Sequence, residues 1–170
     1  MKSKRMLSRI TGLIAMVLLT SCINGLKRKP KTEFIYPDLQ IERHQKPKSK
    51  GVGHVRFIDL ADTISNVLAD KGKLIFEAQC AACHKLTDQR LVGPGWAGIT
   101  NYRRPEWIMN MILNTDEMLE KDEAAIIQLK DCMTRMPNQY LTKTEARSVL
   151  EFMRRNDMQQ VKSKDGAAAK

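Results

Sequence analysis

The pentapeptide Cys80-Ala81-Ala82-Cys83-His84 constrains this chain more than any other stretch. Two thiols three positions apart, with an imidazole directly behind the second, have four possible origins. They are covalent attachment of a haem, half of a zinc site, a redox dithiol, and chance recurrence of a short pattern. Each demands different surroundings. A structural zinc needs four ligands, usually supplied as two pairs. Outside the first 22 residues the one further cysteine is Cys132, and the other histidines, His44 and His54, lie in a stretch with no sustained period, so no second pair exists. A thioredoxin-like dithiol belongs near a βαβ pattern, and the sequence here reads as helix.

That helical pattern covers about 100 residues. Between 62 and 80, Leu68, Gly72, Leu74, Ile75 and Phe76 fall mainly on one side of a helix that runs into the cysteine pair. Pro105 suits the first turn of a second helix, PEWIMNMILN, with Trp107, Ile108, Met111 and Ile112 at three- and four-residue spacings. KDEAAIIQLKDCM predicts a third, amphipathic helix. The fourth opens with Thr142-Lys143-Thr144-Glu145, a capping box in which the first and last side chains satisfy each other's amides. Ala146, Val149, Leu150, Phe152 and Met153 form its apolar face. Strand signals are almost absent and there is no internal repeat, so the expected class is all-α, with about four helices.

The N-terminus determines the compartment. Lys2, Lys4, Arg5 and Arg9 precede an apolar run from Ile10 to Leu19. That run falls short of the roughly 20 residues a membrane span requires and reads as a secretory signal. Leu19-Thr20-Ser21-Cys22 resembles the lipobox of bacterial lipoproteins, which implies lipidation of Cys22, a membrane-surface partner and a place in the bacterial cell envelope on the periplasmic side. The expected organisation is a lipoprotein signal peptide over 1–21, a lipid-anchored basic linker over 22–58, a helical domain over 59–157 and a disordered tail over 158–170. The formal charge of +10 suggests nucleic acid only until it is located. Residues 23–55 hold Lys27, Arg28, Lys29, Lys31, Arg43, Lys46, Lys48 and Lys50 against Glu33, Asp38 and Glu42, whereas later acids and bases nearly balance. A basic tether beside a lipid anchor favours anionic headgroups, and no nucleic-acid partner is expected.

An exported, helical chain suits the haem origin of the motif, in which both thiols add to haem vinyl groups and the adjacent histidine falls under the iron. Cys80–His84, then LVGPGWAGI (91–99) and MTRMPNQYLTKTEARSVLEFM (133–153), resembles the monohaem class I cytochrome c family over roughly residues 70–156. The resemblance implies a fold wrapped around one covalent haem c. It also implies a Pro94 carbonyl that accepts a hydrogen bond from His84, and a crossing of the first and last helices through Gly72, Phe76 and Phe152. It places the second axial ligand at Met136, with Met133 the nearest competitor and His44 or His54 remote ones. Cys132 is outside the family pattern and is expected to be a core thiol, with an intermolecular disulfide as the other role. The expected function is single-electron transfer between respiratory redox proteins by a monomer that is not itself an enzyme. The acceptor could be an anaerobic reductase such as nitrous-oxide reductase. An open distal position would instead suit a peroxidase or gas sensor, and a docking lipoprotein with a coincidental motif is a third class.

Overall fold

A computed structural model describes residues 49–161. The expected signal peptide, Cys22, His44 and most of the linker and tail lie outside the described residues. Among those described there is no β-strand, and six α-helices surround one apolar core. They are α1 (Asn66–Ile75), α2 (Ile99–Tyr102), α3 (Pro105–Leu113), α4 (Thr115–Lys121), α5 (Glu123–Cys132) and α6 (Lys143–Val161). The two helices beyond the expected four are the short α2 and α4.

The Ser65 hydroxyl starts α1 by accepting the Leu68 N–H at 3.4 Å. After Ile75 the ladder widens to a single π-helical turn, Phe76–Cys80, closed by Ala81 N–H to Phe76 C=O at 2.9 Å. Such turns occur mostly singly, frequently at functional sites, and this one ends on the first motif cysteine. Pro105 takes the first position of α3, where its missing N–H costs nothing. The capping box of α6 forms as the sequence predicts. Thr142 N–H and Oγ–H donate to Glu145 Oε2 at 2.8 and 2.7 Å, and Glu145 N–H returns to Thr142 Oγ at 3.3 Å.

The α1–α6 crossing organises the domain. A Cβ on Gly72 would run into the Ser148 main-chain carbonyl and lie 2.9 Å from Phe152 Cβ, so only glycine lets the two backbones approach this closely. Beside it, Phe76 stacks at a tilt on Phe152 and Trp96, with ring centroids 5.6 and 4.7 Å apart. Ala146, Val149, Leu150, Phe152 and Met153 are all buried, as the period of α6 predicts.

Two expected boundaries move. The segment read as linker up to residue 58 is packed from Ser49 onward. Asn110 of α3 holds it by its backbone, with the side-chain amide donating to Lys50 and Val55 C=O at 2.9 Å each and accepting Val55 N–H at 3.0 Å. Val55 is thereby buried at 2% exposure. Gly51, at φ +74°, presses against Met118, whose sulfur accepts the Val52 N–H at 2.9 Å. Further along, Arg147 and Arg154 donate to Asp59 and Ala61 C=O, each at 2.8 Å. At the other end, α6 continues past the expected tail boundary at 158. Asp157 there is fully buried and accepts Gly98 N–H, Thr100 N–H and Thr100 Oγ–H at 2.7, 2.8 and 2.7 Å.

Candidate functional site

The π turn delivers Cys80 to the wall of a cleft, and a tight turn follows in which Cys80 C=O accepts both Cys83 N–H (3.0 Å) and His84 N–H (2.9 Å). Cys83 C=O then accepts Gly93 N–H at 2.9 Å, folding the 85–94 loop back under the imidazole. His84 Nδ1 lies 2.8 Å from Pro94 O. A carbonyl can only accept, so Nδ1 carries the proton and Nε2 keeps a lone pair. Gly93 is the close neighbour that permits this, because a Cβ there would meet the ring, with Nδ1 2.8 Å away. Burial lowers the His84 pKa from its ordinary 6.5, opposed by the bond to Pro94. The neutral, ligating form of the ring is the one favoured. Burial, reinforced by the neighbouring Cys83, pushes the Cys80 thiol up to about 11.

The rest of the cleft is mainly apolar. Trp107, Ile108, Met111 and Ile112 come from α3, Leu119 from α4, Leu129 and Cys132 from α5, and Val149 and Met153 from α6. Met136 and Pro137 reach it from the α5–α6 loop. Met133 does not line it. It is the left-handed residue (φ 53°) that ends α5, and it is 89% exposed. Of the two methionines named from the sequence, Met136 lines the cleft and Met133 faces outward. Sequence reasoning missed that Met111 and Met153 also line the cleft, because their helical spacing reads equally as core. Cys132 is half-buried in the cleft wall, and burial raises its pKa against the opposing pull of Arg90. His54 lies exposed on the packed N-terminal segment and does not line the cleft.

Two thiols, one imidazole with its tautomer set, and thioether side chains in one apolar cleft make a donor set of the kind that holds a haem iron. Cys80, Cys83 and Cys132 are all outside disulfides, so the two motif thiols are available for thioether bonds. The residues present fit the group.

Comparison with known proteins agrees. Residues 69–157 match the family described as Cytochrome c. The chain belongs to the cytochrome c family. Its fold is that of the monohaem class I members, haem c is its covalent cofactor, and electron transfer through that haem is its activity. Among solved structures, the cytochrome c from Rhodothermus marinus is 32% identical at a TM-score of 0.62, the match covering 64% of this cytochrome c and 92% of that chain. An engineered form, Rma TDE, is 31% identical at 0.60, covering 62% and 90%. The same engineered protein bound to a carbene intermediate is 30% identical at 0.57, with equal coverage. No curated protein sequence matches significantly.

Proposed function

We propose that this cytochrome c is a lipid-anchored, monomeric electron shuttle on the periplasmic side of the bacterial cell envelope. Cys80 and Cys83 would hold the haem through thioethers, His84 and Met136 would ligate its iron, and Pro94 orients His84. The bound haem supplies the one-electron redox chemistry. The chain's own residues fix the ligands and exclude water. The observation that carries this reading is the His84 Nδ1–Pro94 O contact of 2.8 Å in a cleft that Met136 also lines. A hydrogen bond to the second ring nitrogen fixes a ligating histidine and makes it more electron-rich, and a methionine opposite raises the potential relative to two histidines.

The lipobox-like Leu19-Thr20-Ser21-Cys22 and the basic residues between 27 and 50 support attachment to an anionic membrane surface. Electrons would come from a quinol-oxidising complex or another cytochrome and pass to a terminal oxidase or reductase, an anaerobic one such as nitrous-oxide reductase being the narrowest form of the proposal. Visible spectra of the exported holoprotein test the site. The ferric protein should show a methionine–iron charge-transfer band near 695 nm that Met136→Ala abolishes. The ferrous protein should not bind carbon monoxide rapidly; rapid binding would replace the carrier reading with an open-site peroxidase or sensor. Mass spectrometry of the membrane fraction should find a diacylglyceryl mass on Cys22, and its absence would remove the anchor.

A further inference from the structure

Asp122 is the single residue between α4 and α5, and it does more than join them. Its side chain is 6% exposed and receives three donors. Oδ1 accepts the Trp107 indole N–H at 2.9 Å and the Ala125 N–H at 3.0 Å, and Oδ2 accepts the Ser49 hydroxyl at 2.8 Å. Trp107 is itself 4% exposed, lines the cleft, and has the Arg103 guanidinium 4.8 Å over its ring. The carboxylate thus grips the N–H edge of an indole that lines the haem cleft. Through Ala125 it also caps α5, which carries Leu129 and Cys132 to the same cleft. Through Ser49 it ties this wall to the point where the N-terminal segment joins the fold.

We propose that Asp122 is a positioning residue of the redox centre: it holds Trp107 in the cleft wall and places a buried negative charge behind it that favours the ferric state. The inference rests on the haem reading of the cleft. At an effective dielectric of about 20, a unit charge on the order of 10 Å away changes an equilibrium by about tenfold. For a one-electron couple tenfold is 59 mV.

The test uses the exported holoprotein. Asn caps a helix about as well as Asp, so Asp122→Asn keeps the cap and an acceptor for the indole while removing the charge. Its midpoint potential should rise by about 59 mV, with the charge-transfer band retained. Ser49→Ala removes one donor from the carboxylate, leaves its charge less compensated, and should shift the potential the opposite way. Opposite shifts support the proposal. An unchanged potential in Asp122→Asn, or a shift of the same sign in both variants, overturns it. If Asp122→Asn yields no holoprotein, Ser49→Ala decides alone, because it leaves both core partners in place: a fall in potential supports the proposal and no change refutes it. A wild-type protein without a covalent haem in its alkaline pyridine spectrum would instead overturn the haem reading itself.

Discussion

Gly72→Ala should destabilise the protein, although it improves the intrinsic propensity of α1. Glycine inside a helix is about 0.8–1.0 kcal/mol worse than alanine, so an open site would gain roughly that amount. Gly72 is not open. The new methyl would collide with the Ser148 carbonyl oxygen and stand 2.9 Å from Phe152 Cβ, against 3.4–4 Å for ordinary contact. Both obstacles are fixed to the backbone of α6, so no rotamer change relieves them and the helices must move apart. Overpacking of this kind costs about 1–3 kcal/mol, and a rigid main-chain obstacle puts this site near the upper end. The net loss is then about 2 kcal/mol, or roughly 8 °C in Tm for a domain this size. Thermal and urea unfolding of the holoprotein, followed by circular dichroism, would measure it. The double variant Gly72→Ala/Phe152→Ala should show no rescue, because the carbonyl remains. A Gly72→Ala protein as stable as wild type, or rescue by trimming Phe152, would refute the close-crossing explanation.

Gly93→Ala should displace the His84 ring from Pro94 and lower the yield of protein with normal haem absorption, read by the reduced visible spectrum against total protein. Asp157→Ala should cost about 3–5 kcal/mol in urea titrations, since it strips an ionic acceptor from three buried donors; Asp157→Asn should fall between it and wild type. Glu145 has its pKa lowered in the folded protein by the Thr142 backbone and hydroxyl donors. A depressed folded value means the contribution is present above the ordinary 4.5 and lost as pH falls through the folded value. Wild type should therefore be more stable than Glu145→Ala at pH 6, with the difference shrinking below pH 4.5; a constant difference would contradict the cap.

What the sequence made legible was local or carried by a motif. Pro105, the Thr142–Glu145 box and the apolar face of α6 act within one or two turns, so their neighbours in sequence are their neighbours in space. Gly93-Pro94 is ten residues from His84 and recognisable through the cytochrome c resemblance. The proline that follows Met136 distinguishes it from Met133 in sequence, and in the fold Met136 lines the cleft whereas Met133 is exposed. The misread segment over 49–58 fails for the opposite reason. Its glycines look like linker punctuation, but they serve close approach to Asn110 and Met118, more than 50 residues away. Most of the bonds that hold it and the residues just after it go to main-chain atoms of Lys50, Val52, Val55, Asp59 and Ala61, which leave no signature in the segment's own side chains. The middle of α6 holds a buried pair that no local pattern in the sequence announces. Glu151 and Arg154 are 1% and 0% exposed and pair at 2.9 Å.

The cytochrome c match begins at residue 69, whereas the packed chain begins by Ser49. The span matched by the family model is therefore smaller than the span that packs. A protein trimmed to the matched span would retain every haem-cleft side chain yet take the Lys50, Val55 and Ala61 carbonyls away from Asn110 and Arg154. It would also strip Ser49 from Asp122. The stretch before residue 69 thus acts as a brace: it adds no side chain to the haem cleft, yet it holds the helices that line it.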